Sequence, residues 1–180
     1  MLLVKKYQYE DLIINKKDLL NRISRIEFFS FNNGLPVSFI HGDCLIRQTK
    51  RLSRTLIEYG NILDTHKYQL INLCNQYYNL GLIHGDLNRK NVFLSDNRII
   101  ISDWEPSLKQ VVNNKVTLMG THPYFDINDK KNNKLSINTD IMCVYYMLNK
   151  PSLSYFQSDE WMVKLNLANV SKRPFDFCVL

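Results

Sequence analysis

One stretch limits what this chain can fold into more than any other: Ile83-His84-Gly85-Asp86-Leu87-Asn88-Arg89-Lys90-Asn91-Val92-Phe93-Leu94, closed by Ile99-Ile100-Ile101-Ser102-Asp103-Trp104. Two short apolar runs, 92–94 and 99–102, flank the polar turn Ser95-Asp96-Asn97-Arg98, the pattern of a β-hairpin. Ahead of them, residues 65–80 place Leu70, Leu73, Cys74, Tyr77 and Tyr78 at helical spacing. Gly81 then stands where a helix stops in the left-handed conformation. A helix, a polar loop and a tight hairpin in that order set Asp86 on the loop, Asn91 at the hairpin's entrance and Asp103 at its exit.

Those three side chains have a common use. Phosphoryl transfer asks a protein mainly for positioning and charge neutralisation. Triphosphate oxygens need a divalent metal, and Mg²⁺ prefers hard oxygen ligands, which Asn91 and Asp103 supply. Asp86, on the connecting loop, can accept a hydrogen bond from an incoming hydroxyl. The plainer account is a set of turn residues capping two strands. Asp-x-x-x-x-Asn before an apolar hairpin that ends in Asp is too ordered a set for that account to be preferred.

The rest of the chain is compact in its patterning. Residues 2–7 and 37–40 read as strands, 17–31 as a helix with Leu19, Leu20, Ile23 and Ile26 on one face, and 52–59 as a further strand. Residues 140–148 read as a helix bearing Ile141, Val144, Tyr145 and Leu148, and a last helix follows Ser158. Strands gather before residue 60 and helices after it, which predicts a smaller unit over 1–60 and a larger one over 61–180. His-Gly-Asp occurs at both His41 and His84, but Gln48 stands where the second copy has Asn91, so the recurrence is read as coincidence.

A hydrophobic content of 45% over 180 residues is enough to bury a core. The net charge of +6 suits an anionic partner, although a solubilising excess of lysine explains it as well. Cys44, Cys74, Cys143 and Cys178 include no Cys-x-x-Cys pair and read as free thiols of a reducing compartment. No apolar run reaches the length of a membrane span, and the start is charged too soon for a signal peptide. A cytoplasmic location is expected, with peripheral contact at the inner face of a membrane left open. Arg47, Lys50, Arg51 and Arg54 form a basic cluster that a strand with alternating solvent-facing charges explains as well; no recognised nucleic-acid motif is present, so a nucleic-acid partner is not expected.

The central stretch resembles the catalytic core of the protein-kinase-like superfamily. His84-Gly85-Asp86-Leu87 resembles the loop of small atypical and aminoglycoside kinases, with Gly where typical protein kinases carry Arg. Asp86-Leu87-Asn88 resembles the lipopolysaccharide (Kdo and heptose) kinases, and Asp103-Trp104-Glu105 stands where the family has Asp-Phe-Gly. Gly120-Thr121-His122-Pro123-Tyr124 resembles the end of the activation segment of bacterial Ser/Thr protein kinases, and Thr139-Asp140-Ile141 the start of the helix that anchors the catalytic loop. The Ala-Pro-Glu triplet is missing. Upstream, Val4-Lys5-Lys6-Tyr7 resembles the third strand of lipopolysaccharide kinases, which makes Lys5 the phosphate lysine, or Lys6 if the register slips, with Glu27 as its helix partner. Glu58-Tyr59 falls at the hinge that binds adenine through its backbone.

The resemblance implies an α+β, two-lobe kinase-like fold. Its N-lobe would be truncated, lacking the strands of a glycine-rich loop before Lys5, and its C-lobe short and mainly helical. It implies ATP and Mg²⁺ as cofactors, with Asp86, Asn88 and Lys90 at the reacting hydroxyl, Asn88 taking the place of the catalytic-loop lysine and Lys90 or Arg89 supplying that charge. Lys5, Glu27, Glu58, Tyr59, Asn91 and Asp103 would bind the nucleotide, with Asn91 and Asp103 on the metal. Thr121 and Tyr124 would lie in the activation segment, and Asp140 would be the anchor. The acceptor implied is a protein Ser or Thr, including the enzyme itself. A lipopolysaccharide-core sugar or other anionic glycan is the alternative, and a pseudokinase binding module the second. The missing loop leaves three cases open: a minimal kinase, a partner chain completing the nucleotide site, or a degenerate relative.

Overall fold

The computed structural model describes residues 2–8, 38–41, 44–50, 63–95, 98–102, 127–132 and 136–179. The fold is α+β. Strands β1 (Leu2–Gln8), β2 (Ser38–His41) and β3 (Cys44–Lys50) form an antiparallel sheet in the order β1-β3-β2. His41, the first residue of the earlier His-Gly-Asp, ends β2 and pairs with Cys44 of β3. Strand β3 carries Arg47 and Lys50 of the basic cluster, in line with the expectation that a strand accounts for those charges. The expected helix over 17–31 and strand over 52–59 lie outside the described residues.

Helix α1 (Asp64–Asn79) follows the expected span. Its buried Leu70, Ile71, Cys74 and Tyr77 make the inward stripe, and Leu73 and Tyr78 pack at its margin. The helix ends as its sequence demands. Leu82 N–H donates to Tyr77 O at 3.0 Å and Gly81 N–H to Tyr78 O at 2.8 Å, with Gly81 at φ +71°, a Schellman stop. That stop turns the chain directly into the polar loop.

Strands β4 (Val92–Ser95) and β5 (Arg98–Ile101) pair antiparallel, Val92 with Ile101 and Ser95 with Arg98. Val92, Leu94, Ile99 and Ile101 are buried and join the stripe of α1 in one core. A short helix α2 (Ile127–Asn132) precedes α3 (Ile137–Asn149), and α4 (Asp159–Asn169) comes last. Ser136 and Ser158 cap α3 and α4, accepting the amides of Asn138 and Trp161 at 3.2 Å. Asp129 on α2 accepts from Ser136 N, Ser136 Oγ and Thr139 Oγ1 at 2.9, 2.7 and 2.6 Å, which ties α2 to the start of α3.

Helix α3 is buried nearly all round, from Thr139 to Tyr145, and forms the centre of the core. Short 3-10 turns at Leu153–Gln157 and Asp176–Val179 cover it. Trp161 of α4 packs with Tyr145, Phe156 and Phe177 at ring-centroid distances of 5.1, 4.8 and 5.9 Å. The last turn is fixed by Asn75 of α1, which accepts Phe175 N–H at 3.1 Å and donates to Asp176 Oδ1 at 2.7 Å. No helix among the described residues is long and apolar enough to cross a membrane. Cys74, Cys143 and Cys178 are free and buried, and burial pushes each thiol well above its ordinary value.

Candidate active site

The loop between α1 and β4 is shaped by what its residues bury. Leu87 is fully enclosed and serves as the loop's apolar foot. On either side of it the polar groups Asp86 and Asn91 are buried, each 8% exposed. Gly85 takes φ +82°, a left-handed turn that a Cβ would disfavour and that lets two consecutive amides point the same way. Those amides, His84 N and Gly85 N, donate to Asp140 Oδ2 and Oδ1 at 2.6 and 2.8 Å. Tyr77 adds its hydroxyl to Oδ2 at 3.1 Å.

Asp140 is fully buried, and burial pushes its carboxyl up to about 6. The two loop amides and the Tyr77 hydroxyl pull the other way, and the charge of Asp129 adds a smaller push upward. At neutral pH the group is therefore mostly ionised, the form that three donors require. The Tyr77 phenol is raised by its burial and by the Asp140 charge, and so remains a donor.

His84 joins the loop to the hairpin. Its Nε2 lies 2.8 Å from Ser102 O, and Asp86 N–H reaches its Nδ1 at 3.2 Å. Asp86 N can only donate, so Nδ1 accepts and Nε2 carries the proton. Ser102 also extends the hairpin by one step, donating its N–H to Asn91 O at 2.8 Å and its Oγ–H to the same atom at 3.3 Å. The residue just before Asp103 is thus held against Asn91.

Two side-chain amides bracket Asp86. Asn91 Nδ2 donates to Asp86 O at 2.8 Å and to Asp86 Oδ2 at 3.1 Å. Asn88 Nδ2 donates to Asp86 O at 3.1 Å and to Asp86 Oδ1 at 3.2 Å, while Asn88 Oδ1 accepts Lys90 N–H at 2.8 Å. Asn91 and Asn88 thus each place an amide donor on a different oxygen of the Asp86 carboxylate. With Nδ2 spent on Asp86, the acceptor atom of Asn91 is its Oδ1, a hard oxygen of the type Mg²⁺ takes.

Of the residues singled out in the sequence, the structure brings Asp86, Asn88 and Asn91 together, with Asp140 behind them through the loop backbone. Lys90 contributes its amide and carries its side chain in solvent. Arg89 binds α3 through its guanidinium, Nη2 donating to Met147 O at 3.1 Å. Lys5 and Lys6 lie in β1, paired with Arg47 and Ile46 of β3. Glu27, Glu58, Tyr59, Asp103, Thr121 and Tyr124 lie outside the described residues. Among the described residues no group of three or more His, Cys, Asp or Glu could hold a metal. The sequence reading did not assign a part to Tyr77, to the His84 ring or to Ser102. The only signal for them was their place in or beside the motif.

Residues 39–120 match the family model of the RIO domain, a domain of atypical kinases within the protein-kinase-like superfamily. The match runs from β2 through β3, α1, the polar loop and the hairpin, and takes in Glu58, Tyr59, Asp86, Asn88, Lys90, Asn91 and Asp103. Lys5 and Glu27 precede it, and Thr121, Tyr124 and Asp140 follow it. Comparison with curated proteins gives no match.

Proposed function

We propose that this chain, whose residues 39–120 match the RIO domain of atypical kinases, transfers the γ-phosphate of Mg-ATP to a hydroxyl, that of a protein Ser or Thr, its own included. One observation carries the reading: the Asn91 amide donates to both the carbonyl and the carboxylate of Asp86, at 2.8 and 3.1 Å. A hydrogen-bond acceptor for the incoming hydroxyl and an oxygen ligand for a cation are thereby held side by side.

In this reading Asp86 receives the acceptor's hydroxyl hydrogen bond and takes the proton as the new P–O bond forms and ADP leaves. Bound at Asn91 and Asp103, Mg²⁺ would neutralise charge on the phosphate oxygens. Asn88 steadies the Asp86 carboxylate, and Lys90 stands nearest on the loop as a cation for the phosphates. Lys5, or Lys6 in the shifted register, neutralises phosphate and pairs with Glu27. The backbone at Glu58 and Tyr59 receives adenine. Thr121 and Tyr124 shape the acceptor side, and Asp140 anchors the loop. A lipopolysaccharide-core sugar is the alternative acceptor.

A second reading, a nucleotide-binding module without transfer, has one observation in its favour: Arg89, a candidate substitute for the catalytic-loop lysine, is committed to Met147 O. Radiolabelled phosphate transfer from Mg-ATP by the wild type and by Asp86→Ala separates the two. The expected result is transfer by the wild type and a loss of roughly a hundredfold or more in the variant. Equal signal from both proteins sinks the enzyme. Offering casein, lipopolysaccharide core and no acceptor in parallel identifies which hydroxyl is used.

A further inference from the structure

Helix α3 holds the polar loop at two separated points. Near its start, Asp140 accepts the amides of His84 and Gly85. Near its end, Met147 O accepts Arg89 Nη2–H at 3.1 Å. Residues 140 and 147 are about 10 Å apart along a helix that rises 1.5 Å per residue. The loop between these two attachments carries Asp86, Leu87 and Asn88, and Asn91 follows two residues after the second.

The second attachment has a cause in the sequence. A helical carbonyl at 147 would bond the amide of residue 151, and residue 151 is proline, which has none. The chain also leaves the helix at Lys150, which takes φ +50° and gives its amide to Tyr146 O at 2.9 Å. Met147 O is therefore open to a donor from elsewhere, at the end of the helix where partial negative charge favours a cation. Arg89 fills that place.

We propose that Arg89 is a positioning residue of the phosphotransfer site, resting on the function proposed above. Seated on the carbonyl that Pro151 leaves open, its guanidinium fixes the trailing half of the loop, so that Asn88 and Asn91 keep their amides on Asp86. Without it α3 holds the loop backbone only at His84 and Gly85, and the Asp86 carboxylate loses its fixed direction while remaining present. Arg89 itself touches no reacting group.

The test compares the full-length wild type with Arg89→Ala and Arg89→Lys by two measurements. Hydrogen exchange of the loop amides needs no activity. Residues 86–91 are expected to exchange faster in Arg89→Ala, with α1 and α3 protected as in the wild type. In phosphate transfer, kcat is expected to fall about tenfold or more in Arg89→Ala with KM for ATP nearly unchanged. Arg89→Lys, which keeps one charged donor, recovers most of that loss. Unchanged exchange at 86–91 overturns the proposal whether or not the wild type transfers phosphate. Faster exchange with unchanged kcat also overturns it, since the contact is then only structural. A wild type that transfers no phosphate overturns the function reading alone, and the exchange result still decides whether Arg89 holds the loop.

Discussion

At the scale of single residues, Asp140 has the most distinctive physical chemistry. Its carboxyl, pushed by burial from 3.8 to about 6, binds a proton more readily in the folded chain than in the unfolded one. The sign of the linkage follows. The folded state gains from this group below pH 4, and that gain is lost as pH rises through about 6, in total on the order of 3 kcal/mol. Asp140→Asn removes the titration and turns an amide N–H toward a backbone N–H that can only donate. Its stability deficit against the wild type is therefore expected to be larger at pH 4 than at pH 7, as measured by urea unfolding at both. A deficit independent of pH would contradict the raised carboxyl. Sequence picked out Asp86, Asn88, Asn91 and Asp140 because acids and amides at fixed intervals are visible in one dimension. It could not show that Arg89 binds α3, because that depends on the carbonyl left open by Pro151, 62 residues further on.

At the scale of elements, the ends of the helices are decided by local chemistry and should respond to local changes. Gly81 has open space where a Cβ would go, so Gly81→Ala meets no clash and only the cost of a left-handed φ. That cost is about 1 kcal/mol. Ser158→Ala removes the cap that accepts Trp161 N–H and should also cost about 1 kcal/mol. Both are read from urea denaturation midpoints, and a change near zero in either would mean that tertiary packing alone sets that boundary. The same chemistry explains why α1, the β4–β5 hairpin, α3 and α4 were legible to within a few residues: each has an apolar period and a capping or turn residue at its end. Strand β3 was legible only as the alternative account of the basic cluster, without its bounds, because Cys44-Leu45-Ile46-Arg47-Gln48-Thr49-Lys50 does not alternate cleanly between apolar and polar. Its pairing with β1 is a long-range fact.

At the scale of the whole molecule, the core is completed by the end of the chain. Phe175 is fully buried and meets Tyr77 edge to face at 5.7 Å, and Asn75 binds the backbone beside it. Phe175→Ala should cost ~3–5 kcal/mol in the urea unfolding free energy. A loss under 1 kcal/mol would show that the final turn is not part of the cooperative core. Nothing periodic marks residues 171–179, so this role could not be read from sequence; its anchor, Asn75, lies a hundred residues earlier. The arrangement also has a mechanical consequence. Cys178 and Asn149 join the closing segment to α3, Asn149 Nδ2 to Cys178 O at 2.8 Å and Cys178 Sγ to Ile141 O at 3.9 Å. Ile141 is next to the carboxylate that carries the loop. Strain introduced at the tail, by a fused domain or a bulky tag, would reach Asp86 through that one shared beam.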